Sequence, residues 1–384
     1  MEIAYQAPEN VRAVIGTLGR TEDIRFSPSN RRLAIAAFNN NRIAVLDIGI
    51  VKPDTKKEVV LTGAFEFSST SLNYPHGLDF LDDETLAVAS RKAEVAIFKL
   101  PPTGSCPADL SPVQILNAGN GSLLESPGSI AAVRLDGALC ELLICDNAGH
   151  SVTRQVIDCA ASCSLMSSEI LLRKWLDLPD GVCISRDGQW IAVSNHNTHG
   201  VLLYARSASL NKDSTPDGVL RGVYFPHGLR FSSDGRYLFV ADAGAPFVHV
   251  YACDGQGWRG SRGPAASFRI MDDELFLRGR QNPQEGGPKG IDIDREANVL
   301  VATSEHQPLA FFDVEAMLTR TTPTSQVMEV EYELGILEQA ERLRARTRAA
   351  ESRAAKAEAK LRKRKSKWPP KPLRRLFSAW KPAN

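Results

Sequence analysis

Five ionisable side chains stand at one recurring step of the sequence. They are Glu22, His76, Asp180, His227 and Lys289, each two residues ahead of an apolar anchor (Ile24, Leu78, Val182, Leu229 and Ile291). Gly128, ahead of Ile130, holds the remaining place in the series. Carboxylates and imidazoles are suitable ligands for Ca²⁺, Mg²⁺, Mn²⁺ or Zn²⁺, and an imidazole also carries a proton near neutral pH. A second polar set follows the anchors by 13 to 17 residues: Asn39, Arg91, Asn147, His196, Asp242 (or its neighbour Ala243) and Glu305. Brought together, the two sets form a metal or ligand site. Kept apart, His-Gly is a compact turn whose imidazole bonds a nearby carbonyl, and Pro-Asp-Gly at 179–181 is an ordinary turn.

What decides between these outcomes is the repeat that carries the residues. The six anchors are spaced 47 to 62 residues apart. Each unit opens with a short apolar alternation such as Leu229-Arg230-Phe231, as an inner strand would. A turn follows, with Asp187-Gly188 and Asp234-Gly235 supplying the positive φ that a tight hairpin needs. Then come a strongly apolar strand, a polar loop and a third strand. These use about half of each unit, leaving room for an outer strand such as residues 58–67. Six units of four strands without helical periodicity between them predict an all-β, six-bladed propeller over residues 1–324, with the blades inside 22–314. In such a ring the step ahead of each innermost strand faces the central channel. His76 and His227, three blades apart, then lie opposite one another, as do Glu22 and Asp180. Residues 11–18 or residues 327–334 could close the last blade. The former leaves fewer open sheet edges and is the expected choice.

The phrase Pro-His-Gly-Leu at 75–78 and 226–229, with SSDGRYLFVADAG from Ser232, resembles the NHL and YVTN propellers and the gluconolactonase/regucalcin group. The likeness covers all six blades. The gluconolactonase group binds one divalent cation through a Glu in the first blade and Asn and Asp at the same step of later blades. Carried over, this implies a metal held by Glu22, Asp180 and His227, the last two standing where the family shows Asn and Asp. His76 would then serve as acid–base, and His76, Asn147, His196, Asp242, Lys289 and Glu305 would surround a ligand.

Net charge is +1, but residues 341–384 carry 16 Lys and Arg against 3 Asp and Glu, leaving a net −12 on the rest. Residues 331–367 have helical composition with a weak seam (Ile336, Leu343, Ala350 and Ala357; Ala340, Thr347, Ala354 and Leu361), so an extension over 325–367 is expected, self-associating weakly through 331–365. A basic and aromatic tail occupies 368–384. Over 362–380, cations interleave with Trp368, Phe377 and Trp380, a pattern that favours an anionic membrane surface over nucleic acid. The N-terminal residues have no basic stretch before an apolar one, and no apolar run is long enough to span a bilayer, so a cytoplasmic protein is expected, peripheral to the membrane's inner face through its tail. Seven scattered cysteines complete no zinc pattern and read as buried thiols. Gly-x-Ser-x-Gly, phosphate-loop and His-Glu-x-x-His motifs are missing.

Two functions follow. The leading expectation is a non-catalytic propeller that binds a small molecule or a protein at the channel mouth and is tethered by its basic arm. The alternative is a divalent-metal hydrolase of the lactonase type, or a lyase, acting there on a small sugar-like substrate.

Overall fold

Strand segments such as Arg32–Ala37 and Thr85–Ser90 are buried at every position, so both faces of their sheets must be covered. The computed structural model shows how. It describes residues 1–321 apart from 52–56, 93, 103–108, 117–121, 161 and 281–283. Among these residues the strands form six sheets, each running outward from an inner strand: Thr21–Phe26, Pro75–Asp82, Pro127–Arg134, Pro179–Ile184, Pro226–Phe231 and Ile291–Ile293. These are the six blades of a β-propeller. Neighbouring blades bury each other's faces. Ala34, Ile43, Val45 and Phe67 of the first blade pack on Leu78, Leu86 and Val88 of the second. The outer strand expected at 58–67 is Glu58–Ser68.

The inner strands are stitched to one another by side chains. The backbone N–H of Leu78 donates to Asp23 (3.1 Å), that of Ala132 to Asp79 (2.8 Å), and that of Phe26 to Asp292 (2.8 Å). The last bond joins blade six to blade one. Backbones approach so closely here that a side chain is excluded from the second residue of His-Gly. A Cβ on Gly228 would stand 2.5 Å from the Lys289 carbonyl oxygen of the next blade. The glycine of His-Gly is there for packing, as are Gly181 and Gly290 at the same place in blades four and six.

Closure differs in detail from the expectation. The chain's start does supply the outer strand of blade six, but through Glu2–Ile3, which pairs antiparallel with Phe312 and Phe311. Residues 11–18 fall mainly in a helix, Glu9–Thr17. Val11, Ile15 and Leu18 recur at helical spacing, and all three are buried against Val59, Leu61 and Phe311. The segment expected as an outer strand is therefore a helix, as the spacing of its buried residues by four and three requires. The alternative closure at 327–334, the helical extension at 325–367 with its 331–365 seam, and the basic tail at 368–384 with its 362–380 surface lie outside the described residues. Among the described residues no helix is long and apolar enough to cross a membrane, and the cysteines are free thiols.

Candidate functional site

Because the inner strands all begin at one mouth of the channel, the first polar set meets there. Glu22, His76, Asp180, His227 and Lys289 are all buried. Glu22 Oε2 lies 3.6 Å from His76 Nε2 and 3.3 Å from His227 Nε2. Asp180 faces the same pair from the other side, 3.7 Å from His76 Nε2 and 3.2 Å from His227 Nε2. Carboxylates and imidazoles therefore alternate around the channel axis.

The two oxygens of Glu22 have different surroundings. Oε1 accepts from Lys289 Nζ at 3.1 Å and from Arg20 Nε. Oε2 is buried and has no hydrogen-bond partner. Lys289 Nζ also donates to Glu285 Oε2 at 2.8 Å, and Arg20 reaches Glu285 (3.6 Å) and Glu305 (3.4 Å). Arg91 Nη2 bonds both Asp180 Oδ1 (2.8 Å) and His76 Nε2 (2.7 Å). Asn147 Nδ2 donates to the same Asp180 oxygen at 2.8 Å. Asn147 fills the room left by Gly128, where a Cβ would strike the Asn147 carbonyl oxygen. His196 stands 3.7 Å from both Asp180 Oδ2 and Glu285 Oε1, its Nδ1 buried without a partner.

Charge state follows from burial set against these neighbours. Burial would raise Glu22, but Lys289, His227, His76 and Arg20 hold it well below the usual carboxylate range. Burial opposes ionisation of Asp180 as well, and His227, Arg91, His76 and His196 together hold it low. Burial and Arg91 push His76 well below the ordinary imidazole value. Burial acts on His227 in the same direction, but Asp180 and Glu22 outweigh it and raise it. Burial lowers His196 against the pull of Asp180 and Glu285. The facing carboxylates thus favour the charged form of His227, while His76 and His196 are pushed toward the neutral form.

The donor chemistry fits a divalent cation. Glu22, His76 and His227 each offer one ligand atom, all within 4.8 Å of one another, and Asp180, His196 and Glu285 form a second such group. Ligands of a four-coordinate zinc lie about 3.4 Å apart, given bonds near 2.1 Å. The 3.3 and 3.6 Å separations from the unpartnered Glu22 oxygen match this spacing. Two imidazoles with a carboxylate favour Zn²⁺ over Ca²⁺ or Mg²⁺, which take oxygen shells.

Of the residues singled out in the sequence, Asp242 is not brought into this cluster. Its carboxylate accepts from the backbone N–H groups of Tyr224 (2.9 Å), Phe225 (3.1 Å) and Gly244 (2.9 Å), and it lies 3.1 Å from His249 Nε2. It holds a loop, as Asp146 does in blade three by accepting from Glu125 and Ser126. The alternation along the strand turns these residues away from the mouth, while Asn147 and His196, one place further on, face it. Asn39 is exposed. Glu305 stands at the edge of the cluster through Arg20. Arg20 and Glu285 were missed. The signal for Glu285 was the 62-residue gap before the last anchor, the longest of the five, which contains the added loop.

The description SMP-30/Gluconolactonase/LRE-like region matches residues 112–330. No curated protein matches the chain. Among solved structures, a protein of unknown function from Desulfotomaculum acetoxidans is 12% identical with a TM-score of 0.48, covering 80% of this chain and 89% of its own. A candidate 6-phosphogluconolactonase from Bacteroides uniformis has the same identity and TM-score, covering 80% of this chain and 85% of its own. Neither likeness, at that level, informs the chemistry of the mouth.

Proposed function

This chain belongs to the SMP-30/gluconolactonase/LRE-like family, and from that premise we propose that it is a divalent-cation-dependent hydrolase of small, sugar-derived lactones. The observation that carries the reading is Glu22 Oε2, buried between His76 Nε2 and His227 Nε2 without a well-formed hydrogen bond to either. Glu22, His76 and His227 would hold the cation. A divalent cation there supplies Lewis-acid polarisation of a carbonyl oxygen.

The chain's own residues account for the rest. Lys289 and Arg20 fix Glu22 by occupying Oε1, which leaves Oε2 directed at the imidazoles. Arg91 and Asn147 anchor Asp180 through Oδ1, so that Oδ2 remains toward His227 and His196. His196, neutral and 3.7 Å from Asp180, is placed to accept a proton from an attacking water and pass it to the opened ring's alkoxide. The sequence had given that task to His76, whose Nε2 stands among the cation's donors and is better used there.

The scaffold reading has no feature among the described residues in its favour, since the basic arm it relied on lies outside them. Metal analysis of the purified full-length protein, paired with pH-stat hydrolysis of D-glucono-δ-lactone, tests the proposal. Stoichiometric metal and turnover lost on chelation and restored by Zn²⁺ or Mn²⁺ are expected. Hydrolysis no faster than the spontaneous reaction with any added divalent cation would overturn it.

A further inference from the structure

The channel's other mouth holds a cavity of about 400 Å³, and its walls include none of Glu22, His76, Asp180, His227 or Lys289. It forms where the inner strands end. Arg25, Asp79, Arg230 and Asp292 lie in its wall, with Arg186 and Arg295 exposed at its rim.

Arg25 sets the chemistry of this cavity. Only 2% of it is exposed, and its bonds to Asp23, Ile24 O (2.8 Å) and Ile291 O (3.2 Å) all leave from Nη1. Its Nε is buried without a partner. A guanidinium whose Nε has no acceptor within the protein can offer one carboxylate a fork of two parallel bonds. Arg230 is committed elsewhere, with Nε on Asp292 at 2.8 Å. Four arginines (Arg25, Arg186, Arg230 and Arg295) against three wall carboxylates (Asp79, Asp292 and Asp294) suit a single negative charge. A phosphate dianion would meet Asp79 and Asp292, and a cation would meet Arg25 and Arg230.

We propose that this second mouth is a binding site for a small organic acid, held by its carboxylate on Arg25 and screened by Arg186 and Arg295 at the rim. Two of the three wall carboxylates, Asp79 and Asp292, oppose such a ligand somewhat less than freely solvated ones would. Burial pushes Asp79 up to about 6 against the pull of Arg25, and burial raises Asp23 and Asp292 as well. The site is independent of the reaction proposed at the first mouth. It nevertheless takes the chemical class which lactone opening produces.

Isothermal titration of the full-length protein with sodium gluconate tests this, with sorbitol as the uncharged counterpart and inorganic phosphate as the competing oxyanion. One gluconate per chain is expected, with sorbitol and phosphate at least about tenfold weaker, the weight of a charged hydrogen-bonded pair. Arg25→Met should abolish the heat. If that variant fails to fold, as near-ultraviolet circular dichroism would show, the exposed pair Arg186→Ala with Arg295→Ala decides, and about threefold weaker binding is expected from lost screening. Glu22→Gln should leave gluconate binding unchanged. Three results would each overturn the proposal: gluconate affinity unchanged by the deciding arginine change, sorbitol or phosphate binding as tightly as gluconate, or binding that disappears with Glu22→Gln. The last would place the acid at the first mouth and leave the hydrolase reading intact.

Discussion

The imidazoles of His76 and His227, one from the second blade and one from the fifth, lie stacked with ring centroids 5.2 Å apart, and both direct Nε2 at the same oxygen of Glu22. Residues from opposite blades touch because the inner strands crowd the channel at this end. Stacked rings cannot both carry a proton cheaply, and their surroundings divide them. His76, beside Arg91, is driven neutral, while His227, between two carboxylates, is favoured as the cation. A metal ion would take over the charge-balancing task of that proton.

Glu22→Gln tests the centre of this arrangement. The substitution keeps the shape but removes the charge that Lys289 and Arg20 stabilise and that a cation would need. Bound metal should fall from stoichiometric to near zero, with lactone hydrolysis at least about 100-fold slower, as for loss of a ligand or its close support. Retention of full metal in this variant would remove Glu22 from the ligand set.

Arg91 acts against the cation in two ways. It donates to His76 Nε2, the lone pair a metal would use, and it adds a positive charge beside the site. Arg91→Met should therefore tighten Zn²⁺ binding, by about tenfold for a loss of ~1.4 kcal/mol of repulsion. Turnover should fall at the same time, because Asp180 loses one of its two anchors. Competition against a chromogenic chelator gives the affinity, and weaker zinc binding in the variant would show Arg91 to be a support rather than a competitor.

Much of this was legible before any coordinates. The spacing of Ile24, Leu78, Ile130, Val182, Leu229 and Ile291 gave the blade count, since an inner strand needs its apolar anchor whatever the loops do. The same alignment brought Glu22, His76, Asp180, His227 and Lys289 together, because a position fixed on the inner strand is fixed relative to the axis. What escaped it lay off that frame. Asp242 is the last residue of its strand and turns to a loop, whereas His196 stands one place beyond the end of its own strand and joins the cluster. Glu285 comes from an inserted loop with no counterpart in the other blades. Val11, Ile15 and Leu18 are spaced by four and three, as in a helix, and packing on blade one fixes the helix there.

Gly228 offers a test of why His is followed by Gly. A methyl there would sit 2.5 Å from the Lys289 carbonyl, so Gly228→Ala must push blades five and six apart. We expect a loss of about 3 kcal/mol, the upper range for overpacking, together with weakened metal binding as His227 and Lys289 shift. Gly235→Ala is the control. Its φ is +69° with open space around the missing Cβ, so only the left-handed backbone is penalised, by about 1 kcal/mol. Urea midpoints separate the two, and equal losses would show that crowding at the mouth is not what requires the glycine.

Asp79 gives a pH signature at the opposite mouth. Its folded value, about 6, lies above the ordinary 3.8 because burial disfavours the charge. The folded state therefore binds this proton more tightly than the unfolded chain. That stability is fully present below about pH 4 and is lost as pH rises through 6, at most about 3 kcal/mol in all. Asp79→Asn removes the titration while keeping an acceptor for the Ala132 N–H. Relative to this variant, the wild-type midpoint should fall between about pH 4 and 6, and parallel profiles would contradict the raised value.

Ring closure depends on the first eighteen residues, through Glu2–Ile3 and the helix behind it. Ile3, Val11, Ile15 and Leu18 are buried in one cluster with Val59, Leu61 and Phe311. Burying four such side chains contributes about 8 kcal/mol, comparable to the whole stability of an ordinary domain. A chain lacking residues 1–18 should fail to fold, because blade six then has three strands and an open edge. Ile15→Ala is the graded version. It leaves the strand pairing of Glu2–Ile3 untouched and should cost about 2–4 kcal/mol through the cavity it creates. If Ile15→Ala lowered stability by less than ~1 kcal/mol while the deletion still abolished folding, the seal would reside in the strand pairing rather than in the helix that backs it.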